Sequence, residues 1–276
     1  MVKVEHLSKY YDDNPAVEDL NFELEENKVY GFLGPNGAGK STTMNIITGC
    51  LAATDGTVTI GEFDLYKDPI RAKRLIGYLP EIPPLYLSQT VKEYLEFSAG
   101  LKKIPKERRK EEIESVMART GASDVQNKLC KALSKGYKQR VGIAQAILGD
   151  PKVIILDEPM VGLDPIQIIE IRNLITELGK EHTVILSSHI LSEVQAVCEE
   201  VMIIAKGKLM AFGNLKELES DHGEDLEKLF LELAALPQEE ESDSDTEEAE
   251  AEEELTEATE ENLAETKETS ENERNF

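Results

Sequence analysis

The sequence predicts an α/β fold built on a parallel sheet, and three observations predict it. Short apolar runs rich in β-branched residues, Val153-Ile154-Ile155-Leu156 and Thr183 to Leu186, are each followed by a helical pattern. Another run, Val29-Tyr30-Gly31-Phe32-Leu33, passes directly into the glycine-rich stretch Gly34 to Thr42. Polar and ionisable residues, Asp157-Glu158 and His189, come straight after strand-like runs, at the edge where active groups of a parallel sheet gather.

Taken in order, Val2 and Val4, then Leu20, Phe22 and Leu24, alternate with polar neighbours, which predicts N-terminal antiparallel strands with one wet face. Tyr10 and Tyr11 lie between them; either ring offers a flat face for a base, or serves as an ordinary strand or loop tyrosine. Val29 to Leu33 is a buried strand and Thr42 to Thr48 a helix ended by Gly49. Thr57 to Ile60 and Ile76 to Leu79 are further strands, punctuated by Gly56, Gly61 and Pro80. Helical spacing then takes over, first in Val91, Tyr94, Leu95 and Ser98, next in Ile113, Val116 and Met117. The cations from Lys102 to Lys110 adjoin Glu111, Glu112 and Glu114, so they read as a solvated helix face rather than a contact with anionic lipid. A further helix runs from about Lys135 to Leu148, which places a helical subdomain at about 90–149. Asp164-Pro165 supplies an N-cap and a first-turn proline, and Ile171, Leu174, Ile175 and Leu178 form the stripe of a helix closed by Gly179. A helix bearing Leu191, Val194 and Cys198 leads into the strand Val201 to Ala205 and a hairpin through Lys206-Gly207-Lys208.

Composition narrows the function. The 276 residues carry a net charge of −25, but 18 acidic residues between Pro237 and Phe276 face only Lys267 and Arg274, so residues 1–236 carry −9. Such a body lacks the basic face that general nucleic-acid binding requires, and no nucleic acid is expected as a partner. Cys50, Cys130 and Cys198 are scattered, which suggests neither a disulfide framework nor a zinc site. No apolar run approaches the roughly 18 residues of a membrane helix, and Met1-Val2-Lys3 leads into a strand rather than a signal core. Residues 237–276 are Glu, Ser, Thr and Ala with almost nothing to bury, and are expected to form an acidic disordered tail.

Gly34-Pro35-Asn36-Gly37-Ala38-Gly39-Lys40-Ser41-Thr42 satisfies the phosphate-loop pattern: a glycine, four residues, then Gly39, Lys40 and Ser41. Glycines let several backbone N–H groups turn inward on a polyphosphate, and the following helix points its N-terminus at the same anion. Lys40 is suited to the β- and γ-phosphates and Ser41 to Mg²⁺. Asp157, closing an apolar strand, is placed to hold Mg²⁺ directly or through water. Glu158 is then free to orient or deprotonate an attacking water, and His189 offers a hydrogen bond to the γ-phosphate.

With these motifs the chain resembles the nucleotide-binding subunit of an ABC transporter from about Val2 to Leu236. The resemblance implies a P-loop NTPase-type parallel sheet with an N-terminal antiparallel β subdomain and an inserted α-helical signature subdomain. It implies ATP and Mg²⁺ as cofactors, Gly34 to Thr42 as Walker A, and Val153 to Glu158 as Walker B with its catalytic glutamate. Leu163-Asp164 matches the D-loop, His189 the switch histidine and Tyr11 the adenine-stacking aromatic. Leu133-Ser134-Lys135-Gly136-Tyr137-Lys138-Gln139-Arg140 resembles the signature motif, in which Ser134 and Gly136 face the γ-phosphate held by a second protomer. A homodimer or paired ABC subunit is implied, and with it a separate integral-membrane permease. The chain is accordingly expected to be cytoplasmic, held at the inner face of the membrane through that permease.

Two positions depart from the family pattern. Lys135 and Tyr137 replace the more common Gly and Gln of the signature, and Glu81 stands where a glutamine usually senses Mg²⁺ and the attacking water. Glu81 is expected to keep that coupling and metal role. In the family, Ile82 to Phe97 help to form the groove that receives the permease. The Leu226 to Leu236 cadence resembles the exporter branch, and also suits a plain amphipathic helix. A non-transport relative acting on nucleic acid or ribosomes is the alternative class, disfavoured by the single cassette and acidic body. An importer ATPase shares every motif named, and a dedicated solute-binding partner would mark it.

Overall fold

The computed structural model of the chain describes residues 1–12 and 14–222. In order, the elements are β1 (Val2–Tyr11), β2 (Asn14–Leu24), β3 (Val29–Leu33), α1 (Lys40–Ile47), β4 (Asp55–Ile60), β5 (Phe63–Asp64), α2 (Pro69–Arg74), β6 (Ile76–Leu79), α3 (Val91–Leu101) and α4 (Lys106–Arg119). They continue with α5 (Lys135–Ile147), β7 (Val153–Leu156), α6 (Pro165–Leu178), β8 (Thr183–Ser188), α7 (Leu191–Gln195), β9 (Glu200–Ala205), β10 (Lys208–Asn214) and α8 (Leu215–His222). The expected acidic tail and the Leu226 to Leu236 stripe lie outside the described residues.

One sheet has the order β10-β9-β3-β8-β7-β6, the other β2-β1-β4-β5. In the larger sheet β9, β3, β8, β7 and β6 run parallel, and only β10 is antiparallel. The parallel strands are apolar without interruption because both faces are covered, yet their residues divide by the two-residue period of a strand. Ile154 and Leu156 of β7 join the core made with α3 to α6, whereas Val153 and Ile155 join the core made with α1 and the antiparallel sheet. Parallel pairing brings the ends of β3, β8, β7 and β6 to one edge: Leu33 is level with Ser188, Leu156 with Leu186, and Leu79 with Leu156. The residues that follow those strands are therefore neighbours in space.

Local signals set the helix ends. The Asp164 side chain accepts from the N–H groups of Ile166 and Gln167 at 3.0 and 2.9 Å, and Pro165 needs no donor there. Thr90 and Glu93 cap α3 reciprocally. In the basic cluster Lys102 is not a solvated cation. Its Nζ donates to the Ala146 and Leu148 carbonyls at the end of α5, and burial pulls its pKa down to about 8.

Three further expectations need correction. β8 does not stop at Leu186: Ser187 and Ser188 pair with Phe32 and Leu33 and are fully buried. Cys198 lies beyond α7, which ends at Gln195; its sulfur packs instead against Gly31 of β3. The wet-face alternation of β1 is broken by register shifts between Val4 and Leu7, where His6 takes a positive φ of 52°.

Candidate functional site

The phosphate-loop segment fills the turn between β3 and α1. Gly39 caps α1 with φ 99° and, having no side chain, gives the helix start no side-chain cap. A Cβ at Gly39 would stand 2.5 Å from the Ala16 carbonyl, and one at Gly34 would press on Ile204 and Ala38, so glycine is required at both. Asn36 and Gly37 are exposed at the mouth, Pro35 is half-buried and Ala38 is buried. Ser41 is exposed and Thr42 half-buried on the first turn of α1.

Lys40 is buried, and its Nζ donates to the carbonyls of Gly34 at 2.9 Å and Pro35 at 3.1 Å. The same Nζ stands 3.6 Å from Glu158 Oε1. Burial pushes the Lys40 pKa down, while Glu158, Asp157 and, more weakly, Glu81 push it back up. The other Glu158 oxygen, Oε2, shares a 3.0 Å hydrogen bond with His189 Nδ1. Lys40, Glu158 and His189 thus form one chain of contacts across the ends of β3, β7 and β8.

Ser187 ties the acidic pair together. Its hydroxyl donates to Asp157 Oδ1 at 2.5 Å and accepts from the Glu158 N–H at 2.9 Å. Glu158 holds a positive φ of 45°, an unfavourable conformation for a residue with a Cβ, and the Ser187 bond helps to hold it there. Next to it Ser188 Oγ donates to buried Glu193 at 2.7 Å and accepts from the Ile190 N–H, which orients the turn carrying His189. Sequence reasoning missed Ser187, Ser188 and Glu193 as supports; the only signal was two hydroxyls just before His189 at a strand end.

Tyr11, Ser134 and Gly136 stand apart from this cluster, and Glu81 acts on it only through its charge on Lys40. Tyr11 is 51 % exposed at the end of β1, paired with Asn14 of β2, the strand whose Ala16 abuts Gly39. Glu81 is exposed after β6. Ser134 is exposed at the N-cap of α5, where its hydroxyl accepts from the Tyr137 N–H, and buried Gly136 packs against the Gln167 side chain. No acid lies in the first turn of α5. Ser134 and Gly136 therefore make none of the contacts that join Lys40, Glu158 and His189.

The donor set fits a nucleotide with Mg²⁺. An uncapped helix start, a glycine cradle and a buried ammonium suit a polyphosphate. The Ser41 hydroxyl and Asp157 carboxylate are hard oxygen ligands, and among the described residues no cluster of three or more His, Cys, Asp or Glu forms a metal cage. Two hard oxygen ligands suit Mg²⁺, which keeps waters and takes much of its shell from phosphate oxygens.

Sheet order, phosphate loop and acid-tipped β7 define a phosphate-loop ATPase cassette. The profile described as "ABC transporter" matches residues 17–161, so the chain belongs to the ABC transporter family. It is similar to the bacitracin transport ATP-binding protein BcrA of Bacillus licheniformis, with 39 % identity over 235 residues that cover 84 % of this chain and 74 % of that one. Among solved structures it resembles the ATP-binding subunit of an ABC transporter at 30 % identity, TM-score 0.76, covering 84 % and 99 % of the two chains. It also resembles cbiO1 from Clostridium perfringens, part of the transporter complex cbiONQ, at 31 % identity, TM-score 0.72, covering 84 % and 95 %. The chain is the ATP-binding, ATP-hydrolysing subunit of a transporter. Among the described residues no helix is long and apolar enough to cross a membrane.

Proposed function

We propose that two copies of this chain, or one copy and a paired subunit, close on ATP and drive a separate membrane permease in an exporter. The observation that carries this reading is the separation of the site into halves. Lys40, Asp157, Glu158 and His189 meet at one sheet edge, while the anion-seeking start of α5 bears Ser134 and Gly136 elsewhere. Two protomers related by a two-fold axis bring each half against the other's complement. The chain then works in the cytoplasm at the inner face of the membrane. The similarity to BcrA, named for bacitracin transport, supports a transport role.

In this reading Tyr11 stacks on the adenine ring and the N–H groups of Gly34 to Thr42 surround the phosphates. Triphosphate draws Lys40 Nζ from the Gly34 and Pro35 carbonyls and from Glu158, which leaves Glu158 Oε1 open to a water. Glu158 takes the proton of that water as it attacks the γ-phosphate, and His189, released from Glu158 Oε2, donates its ring N–H to a γ-phosphate oxygen. Ser41 and Asp157 would hold Mg²⁺, with Glu81 as the link to the permease-facing loop; the ion would supply neutralisation of phosphate charge. Loss of the γ-phosphate removes the contacts to Ser134 and Gly136 of the other protomer, and the pair opens.

The permease is identified by what copurifies with this chain from solubilised native membranes. An integral-membrane chain sustains the proposal, a soluble solute-binding protein would move it to an importer, and ribosomes or nucleic acid would refute it. Glu81→Ala should lower both ATPase activity and transport in a reconstituted complex; unchanged rates would remove Glu81 from the site. The body, residues 1–236, is proposed to act without the acidic tail. Deleting residues 237–276 should leave the Kd for ATP within about twofold, an effect below ~0.5 kcal/mol. A large loss of affinity in that deletion would make the tail part of the cassette.

A further inference from the structure

Beside the Lys40–Glu158–His189 contacts, one cleft collects charges that nothing answers. It opens between the loop after β6 and the first turns of α5, and Glu81, Pro83, Lys135, Lys138, Gln139 and Val161 line it. Among the described residues no ion pair within 4.0 Å is made by Glu81, Lys135 or Lys138. Gln139 is only 3 % exposed, yet its Nε2 has no hydrogen-bond partner. Two lysines in the opening turns of a helix lie at the positive end of its dipole, and a buried donor without an acceptor carries a desolvation cost. Both features are relieved by one carboxylate, and Glu81 is the carboxylate that lines the cleft.

Lys135 is also fixed from the other side. Its Nζ comes nearest to where a Cβ of Gly162 would stand, with Cε and Cδ at 3.2 and 3.4 Å, so the end of the side chain, ammonium included, rests on the turn that leads to α6. Glu81 meanwhile is near enough to Lys40 for its charge to raise the Lys40 pKa. The Glu81 carboxylate thus lines the cleft beside the signature turn and lies within electrostatic reach of the phosphate-loop lysine.

We propose that Lys135, with Lys138 and Gln139 Nε2, is the docking point of the Glu81 carboxylate and so a positioning residue for the loop Glu81 to Gln89. The idea rests on the reading above that this loop faces the permease and that Glu81 belongs to the site. Docking couples the loop to the α5 helix start through an ionic contact, and displacement of the carboxylate uncouples them.

The test is a double-mutant cycle on the full chain, read by amide hydrogen exchange in residues 81–89 and by kcat for ATP. Lys135→Met keeps the stem on Gly162 and removes the charge. It should speed exchange and lower kcat by about three- to tenfold, with KM within about twofold. In a Glu81→Gln background the same change should alter exchange less than about twofold, and Lys135→Arg should preserve wild-type exchange. Raising salt to about 1 M, where the Debye length is near 3 Å, should shrink the Lys135→Met effect. Equal effects of Lys135→Met in both backgrounds, or none in either, would overturn the docking. A wild-type chain without ATPase activity would instead overturn the functional reading, and the exchange result would still decide the docking.

Discussion

Glu158→Gln is expected to bind ATP as tightly as the wild type and to release phosphate about 10² to 10⁴ times more slowly, the range of a lost general base. The substitution keeps the size of the side chain and a carbonyl oxygen able to accept from His189 Nδ1, which Glu158 Oε2 contacts at 3.0 Å. It removes the basic oxygen that stands 3.6 Å from Lys40 Nζ. Nucleotide affinity should not fall, since the lysine loses a competitor for the phosphates. Steady-state phosphate release and ATP titration measure the two quantities separately. A fully active Glu158→Gln chain would reject the general-base assignment and leave Glu158 as a structural partner of Lys40 and Ser187.

Lys40→Met is expected to weaken ATP binding by about 10- to 100-fold or more, because charge-assisted hydrogen bonds contribute roughly 1.5 to 3 kcal/mol each. The free protein should tolerate the change better than the bound one. Lys40 is buried and desolvated, and a well-packed apolar replacement of a buried ion is often close to neutral. Thermal melting separates the two effects. The wild type at 100 times its Kd should gain about 2.7 kcal/mol from ATP, whereas Lys40→Met at the same concentration should gain only about 0.4 to 1.4 kcal/mol. A wild-type melting shift in Lys40→Met would mean that nucleotide is held elsewhere.

Most of the framework was legible because strand and helix periods were clean where burial was complete. Val153–Leu156 and Ile76–Leu79 are strands with the bounds the apolar runs suggested, and Asp164-Pro165 opens α6 as cap chemistry requires. The phosphate loop could be placed because a strand enters it and a helix leaves it. What escaped were features that depend on pairing between distant segments. Ser187 and Ser188 lie beyond the apolar run Thr183 to Leu186, yet β3 extends its neighbour by pairing with them, and that extension supplies the hydroxyl joining Asp157 to Glu158. The positive φ of Glu158 likewise has no signature in a glutamate. Cys198 fitted the apolar spacing of a helix, but its burial comes from packing on Gly31 after the helix has ended. The placement of Glu81 opposite Lys135 could not be read from residues 54 positions apart, since only the fold brings β6 beside α5.

The account stands most directly on sedimentation of the Glu158→Gln chain under saturating Mg-ATP. A nucleotide-dependent dimer that dissociates when Ser134 is replaced by Arg, whose bulk and charge block the α5 helix start, is the predicted result. A particle that stays monomeric at every concentration with ATP bound, its permease included, would contradict it.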